Sequence, residues 1–484
     1  MWNIDKTNSI PLYQQLTSEI IQSIQTGKLM PGDKLPPERK LAAEFQINRS
    51  TVVRAYEELV SLGWITRHQG SGTKVSEGRW GSRQLVMNQW RSLLSSPFLK
   101  EDPYLTELKQ RQITGLDLYT GDLPADLIPD FQFPAITWEQ VRQEEKQMHM
   151  TGYKPLKQLL LTRLAEQLDC SMEEQELLIT SGSTQGIYLL MQVLAEAGST
   201  IATEDPSFLF ALPLFASLGI RLLGLPQDEE GINCQALETA IQTKKITLLY
   251  LNPNYQNPTG KTMSLKRRKE VLAICEKYHL PIIEDDVFRE LGFQPPLPSL
   301  KSLAPDQVVY VGSLSKLFGS SIKIGWLLAP KTLIDSLANA KKRMESDTDL
   351  FPQLLATAAL SDNYDVQQTQ LLTELHRRSQ QFRQIATAFK EDWVVSDIQG
   401  GLYYWLTWKH QPLTRKDWRL FLEENLLLAP SFLFSNDTMS VRINYTRLSD
   451  KQLSFFQQAF AKVTNKIRKE MTHERHSKIT TKPS

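Results

Sequence analysis

The chain has 484 residues, 41% hydrophobic and 23% charged, with a formal net charge of +1 at pH 7; at roughly 150 residues per domain it is long enough for about three domains, each with its own core. The balanced charge excludes a protein that binds nucleic acid through its bulk, so any such binding has to come from a local patch. Cys170, Cys234 and Cys275 are scattered without metal-ligand spacing, no signal-like N-terminus precedes them and no run reaches about 18 apolar residues, so the sequence reads as that of a cytoplasmic, non-membrane protein.

Leu12, Leu16, Ile20 and Ile24 recur every fourth position between Pro11 and Gly27, which predicts one amphipathic helix. "LPPERKLAAEF" opens a second, with prolines where the first turn needs no amide hydrogen. After a break at "QIN", Asn48 or Ser50 caps a third helix through "RSTVVRAYEELVSLG", whose apolar side is expected to be Val52, Val53, Tyr56, Leu59 and Val60. "WITRHQGSGTKV" then reads as a hairpin turning at Gly70-Ser71-Gly72. Helix, tight turn, helix and hairpin make a winged helix-turn-helix. Arg49, Ser50, Thr51 and Arg54 stand at the start of the third helix, the end that enters a major groove, with Arg39 and the turn at Gly70 placed to flank it.

"TGKLMPGDKLPPERKLAAEF", "NRSTVVRAYEELVSLGWI" and "GSGT" together resemble the head of the GntR family of bacterial regulators, over about residues 10 to 75. The resemblance implies binding to a double-stranded DNA operator through Arg39, Arg49, Ser50, Thr51 and Gly70. Many relatives carry adjacent arginines in the third helix where this chain has Val53-Arg54, so the operator sequence does not carry over.

Residues 1–75 are therefore assigned to the head. Residues 76–112 are polar and mixed and read as a linker with a helical turn or two, residues 113–465 as the body, and residues 466–484 as a basic flexible tail. In the body, strand-like runs ("ELLITSG", "TIATEDPS", "ITLLYLNPN", "LPIIEDDV", "VVYVGSLS", "IGWLLAP") alternate with helical ones, predicting an α/β fold with a mainly parallel sheet and its ligand at the strands' carboxyl ends.

Chemistry-bearing residues fall at those ends. Ser183 and Thr184 begin a helix after a glycine, where amides and hydroxyls cradle a phosphate. Phe208 is a flat side chain able to stack on a ring, Asn257 a neutral donor on a turn, and Asp285 a carboxylate able to hold a proton on a ring nitrogen. Lys316, in "GSLSKLFGSSIKIGW", is the candidate nucleophile; Lys323 would supply a neighbouring cation that depresses its basicity. A phosphate cup, a ring stacker, a ring-nitrogen acid and an amine are what pyridoxal 5′-phosphate needs.

Asn-Pro-Thr-Gly, then a strand ending in Asp, then Ser-x-Ser-Lys resembles the fold-type-I aminotransferases over about residues 113 to 465, with a large domain and a small α+β domain. That resemblance implies Lys316 as the Schiff-base lysine, Asp285 on the pyridine nitrogen, Asn257 on the ring hydroxyl, and Ser183, Thr184, Ser313 and Lys323 on the phosphate. It also makes Arg442, in "SVRINYT", the arginine for a ligand carboxylate, a role its planar fork suits. Lys323 stands where an arginine is usual, and Val287 and Phe288 where a tyrosine usually reaches the ring.

Head and body together resemble the MocR/GabR class of transcriptional regulators. This implies a homodimeric DNA-binding regulator that senses an amino compound or the cofactor itself. The alternative is an active aminotransferase with an attached regulatory head.

Overall fold

The structure, a computed structural model, describes residues 2, 4–6, 10–25, 28–29, 32–68, 72–76, 101–131, 135–169, 172, 175–319, 322–345, 349–361 and 363–480, side chains excepted at 25, 68 and 471–480. It divides into two units, 1–100 and 101–484.

In the first unit the fourfold apolar spacing becomes α1 (Leu12–Gln25), with Leu16, Ile20 and Ile24 buried. Helix α2 (Glu38–Phe45) starts directly after Pro37 and ends on Gln46 in the left-handed conformation (φ 49°), which makes the tight turn. Helix α3 (Arg49–Ser61) is capped by Asn48, whose side chain accepts from the Ser50 amide at 3.0 Å. Val52, Ala55, Tyr56 and Leu59 close the core over α1 and α2, and the Tyr56 hydroxyl donates to Pro36 O at 2.8 Å. Val53 and Val60 do not share that face: Val53 is half-buried and Val60 exposed, because the helical repeat carries them round the flank. Strands β1 (Ile65–His68) and β2 (Gly72–Val75) pair antiparallel from Ile65 opposite Val75 to His68 opposite Gly72. Gly70 lies outside the described residues, as does Cys170.

The second unit begins earlier than the expected end of the linker. Residues Pro103–Gln110 form helix α4, capped by Asp102, and bury Tyr104 and Leu108 in the core of the small sheet. Two apolar residues four apart are one helical face, but only the sheet they meet distinguishes that face from a polar connection.

The main sheet contains β3 (Gln175–Thr180), β4 (Thr200–Asp205), β5 (Arg221–Asp228), β6 (Gly231–Ile232), β7 (Ile246–Leu251), β8 (Ile282–Asp285), β9 (Val308–Ser313) and β10 (Gly325–Pro330). Its order is β3-β10-β9-β8-β7-β4-β5-β6. Pairings from β9 through β8, β7 and β4 to β5 are parallel; β10 runs against both its neighbours and β6 against β5. All six strand-like runs named from sequence are strands of this sheet, which is mainly parallel as expected, with only β10 and the short β6 running against the rest. The central strands are buried on both faces, as covered parallel strands are.

A second sheet of β11 (Trp393–Val395), β12 (Tyr403–Trp408), β13 (Ala429–Pro430) and β14 (Ser440–Asn444) is antiparallel throughout, in the order β11-β12-β14-β13. Helix α6 (Leu453–Thr480) packs on it through Phe456, Phe460, Val463 and Ile467. Arg468 on that helix pairs with Asp392, Nε to Oδ1 at 3.0 Å. The first residues assigned to a flexible tail at 466 are thus part of a packed helix. Among the described residues no helix is long and apolar enough to cross a membrane.

Candidate functional site

In the head, Arg39, Arg49, Ser50 and Arg54 are exposed and Thr51 is half-buried. Arg49 is held by Glu38 at 3.3 Å, and the other oxygen of Glu38 takes Arg67 of β1 at 2.9 Å. Arg54 lies over the Tyr13 ring, 4.0 Å from its centroid. The start of α3 therefore presents cations oriented by neighbours beside the exposed Ser50, the composition of a groove-reading surface.

In the body, each strand delivers its residue at its carboxyl end. After β3, Gly182 takes φ 87° and caps the helix α5 (Ser183–Leu194). A Cβ on Gly182 would meet nothing within 4 Å, so space lies open at the helix start, whereas a Cβ on Gly325 would come within 2.6 Å of the Ser183 amide. Ser183 is half-buried and Thr184 exposed. Phe208, following β4, is half-buried, and its amide donates to Asn257 O at 3.1 Å.

Asp285 ends β8, buried at 5% exposure. Burial raises its pKa to about 6, opposed by the hydroxyl of Tyr250, which donates to Oδ2, and by the Val287 amide at 3.3 Å. Asn252 joins the backbone of Asp285 to the next residue of the site: its Nδ2 donates to the Asp285 backbone carbonyl at 2.6 Å and its Oδ1 accepts from the Asn257 backbone amide at 2.8 Å. Buried Glu204 in turn accepts from the Asn252 amide at 3.1 Å, its own pKa raised to about 8 chiefly by burial.

Arg442 reaches across from β14. Its Nη1 donates to Asn257 Oδ1 at 2.9 Å and its Nη2 to Tyr119 O at 2.5 Å, while the guanidinium lies 4.4 Å from the centre of the Tyr403 ring. Burial lowers its basicity, and its buried Nε has no hydrogen-bond partner. Because Arg442 occupies the amide oxygen of Asn257, the Asn257 amide is oriented with its NH2 as the remaining donor.

Lys316 follows β9, its Nζ donating to Asp122 Oδ1 at 2.7 Å and Gly121 O at 3.0 Å. Burial works to lower its pKa, but Tyr403 and Asp122 outweigh it and the lysine is raised. The depressed lysine expected from Lys323 is not what the geometry produces. Lys323 is exposed and makes no ion pair among the described residues, and Ser313 spends its hydroxyl on Ile324 O at 3.1 Å. Phe288, at a position where tyrosine is usual, is buried edge-on against Tyr403, 5.6 Å between ring centres.

Tyr250, Asn252, Glu204 and Asp122 did not emerge from the sequence. Tyr250 and Glu204 sit inside apolar strand runs and read as core, and Asp122 lies in "YTGDLP", a turn whose partner is 194 positions away.

The description of bacterial regulatory proteins of the gntR family matches residues 12–75, and that of class I and II aminotransferases matches residues 116–460. The chain is 31% identical over 468 residues, 93% of its length and 95% of the relative's, to the HTH-type transcriptional regulator YisV of Bacillus subtilis. It is 24% identical over 433 residues, 87% of its length and 97% of the relative's, to the HTH-type transcriptional regulator NorG of Staphylococcus aureus. Its fold matches the kynurenine aminotransferase of Pyrococcus horikoshii, solved in complex with PMP, at a TM-score of 0.70 and 22% identity, covering 79% of this chain and 99% of that one.

Fold and site thus define a helix-turn-helix regulator with an aminotransferase-like body. The chain belongs to the class I and II aminotransferase family and, through its GntR head, to the MocR/GabR-type HTH regulators: it is a DNA-binding transcriptional regulator. Membership in that family implies a body of the pyridoxal-phosphate-binding kind.

Proposed function

We propose that the body holds pyridoxal 5′-phosphate on Lys316 and that this makes it the sensing module of a cytoplasmic, homodimeric regulator responding to an amino compound or to the cofactor itself. The observation that carries the reading is the meeting of Lys316, Asp285, Asn257 and Arg442 at the strand ends of one body. The donor set fits the cofactor: open space at the start of α5 suits a phosphate beside the Ser183 and Thr184 amides, and a buried carboxylate suits a protonated ring nitrogen. When bound, the cofactor supplies a carbonyl carbon that exchanges one primary amine for another.

The protein's own residues set the terms. Asp285, with a pKa near 6, is ionised at neutral pH and able to keep a proton on the ring nitrogen. Asn257, oriented by Arg442, would offer its NH2 to the ring hydroxyl, and Phe208 would supply the flat face for the ring. Ser313 and Lys323 are the remaining phosphate ligands of the proposal, Lys323 as a point charge. Arg442, with an unpartnered Nε in a buried setting, favours a ligand carboxylate. In the head, Arg39, Arg49, Ser50, Thr51, Arg54 and Gly70 are the proposed operator contacts, and a dimer would present two heads to two half-sites.

Absorbance of the full chain incubated with pyridoxal 5′-phosphate tests the reading: wild type takes up the cofactor as a coloured adduct and Lys316→Ala does not. An unchanged spectrum in Lys316→Ala overturns this site. Operator footprints with cofactor alone and with a panel of amino acids identify the signal. Amine-to-keto-acid turnover separates the regulator from an active aminotransferase.

A further inference from the structure

Residues 117–122 form a strap between the two groups of the body that read a ligand. Asp117 Oδ1 accepts from the amides of Tyr119 and Thr120 at 3.1 and 2.9 Å, which bends the segment. Asn444 Nδ2 donates to Thr120 O at 2.7 Å and Asp122 O at 3.1 Å, and the Tyr403 hydroxyl donates to Gly121 O at 2.8 Å. At one end, Tyr119 O receives Arg442; at the other, Asp122 Oδ1 and Gly121 O receive Lys316 Nζ. With its backbone tied to β12 and β14, Asp122 is held in place before any ligand arrives, and its side chain keeps 34% exposure.

A carboxylate beside a backbone carbonyl is a receptor for a primary ammonium, which has three donors to place and no acceptor. In this structure the ammonium is that of Lys316. A lysine engaged by a carbonyl compound no longer carries three N–H donors, so Asp122 loses this partner at the step that readies the site for an amine. Its surroundings include Arg442 and Tyr403 but no second lysine within hydrogen-bond or ion-pair distance among the described residues.

We propose that Asp122 is a specificity-determining residue of the body, receiving the ammonium of an incoming amino compound in the place Lys316 Nζ fills here, while Arg442 receives its carboxylate. This deepens the reading of the body as an amine sensor and rests on it. The ligand class it selects is a zwitterion with its ammonium and carboxylate spaced to the strap's two ends, over a carboxylate that lacks the amine.

The first test needs no cofactor. Truncating Lys316 to alanine removes the three methylenes and the ammonium that propylammonium can restore. By calorimetry on the full chain, Lys316→Ala is expected to bind propylammonium at least tenfold more tightly than wild type, where the lysine fills the place, and than the Lys316→Ala, Asp122→Asn double variant. Equal binding by the two variants, or none by either, overturns the proposal. The second test keeps the lysine. In cofactor-treated Asp122→Asn, the amino-acid concentration giving half the spectral change is expected to rise at least tenfold, while a simple aliphatic carboxylate competes as in wild type; an unchanged amino-acid titration overturns the proposal. If wild type never takes up the cofactor, the reading of the body falls, and the propylammonium result still decides the role of Asp122.

Discussion

The head and the body use opposite physical means to hold their functional groups. In the head, Arg39, Arg49, Ser50 and Arg54 are exposed. They are oriented by partners within one small helical unit, such as the Asn48 cap, Glu38 and the Tyr13 ring. Nucleic acid is met at a surface, so these groups need no desolvation before binding. In the body, Asp285, Asn257 and Arg442 are buried, and Arg442 meets Asn257 across 185 positions. Burial there displaces proton affinities: Asp285 is raised to about 6, Glu284 to about 7 and Glu204 to about 8. The lesson is that a site read by surface charge is carried by local structure, whereas a site that binds a small molecule is a property of the whole packed unit.

The contrast predicts that the body tolerates loss of its periphery poorly. A body starting at Glu101 is expected to fold, and one starting at Gly115, which lacks α4 with Tyr104 and Leu108, to lose about 4 kcal/mol or more of unfolding free energy in urea. Equal stability of the two would mean that α4 adds nothing to the packed unit.

A pH series sharpens the difference in burial. The raised groups bind protons more tightly folded than unfolded, so their stabilisation is full below the unfolded pKa near 4 and is lost as pH rises through the folded values. For the chain starting at Glu101, stability in urea is expected to fall between pH 5 and 8, by about 1.4 kcal/mol for each pH unit over which one such group keeps its proton only in the folded state. Asp285→Asn flattens the part of the curve between pH 5 and 6. Glu374, lowered to about 2 by Arg377 and Arg378, acts in the opposite sense but only at pH below this window.

In the head the expected effects are smaller and fall on function. Arg49→Ala should weaken operator binding by about 1–3 kcal/mol if the arginine pairs with a base, and change stability by less than about 0.5 kcal/mol. Gel-shift titration beside thermal unfolding separates the two. Asn48→Ala should cost about 1 kcal/mol of head stability through the lost cap, measured by thermal unfolding of the head.

How much was legible follows the same division. Leu16, Ile20, Tyr56 and Leu59 declared the head's core because a period of 3.6 residues is written into adjacent sequence, and the Asn48 cap and the Gln46 turn bound α2 and α3 within a few positions. The six buried strands were equally plain, since runs such as "ITLLYL" have no other economical use than a covered sheet. Lys316, Asp285 and Asn257 stood out because their order along the chain matches a known pattern, and that order is itself a one-dimensional property.

By itself, then, the sequence determined the elements of the head, the strands of the body and the chemical types at the strand ends, because each depends on residues a few positions apart. Tertiary structure alone decided that Asp122 meets Lys316 across 194 positions and Arg442 meets Asn257 across 185. It also decided that Tyr250 serves Asp285, that α4 and the start of the supposed tail are packed, and that Lys323 stands exposed in place of pressing on Lys316. The physical reason is that charge pairing and desolvation depend on distance and burial in three dimensions, and neither is encoded in the spacing of residues along the chain.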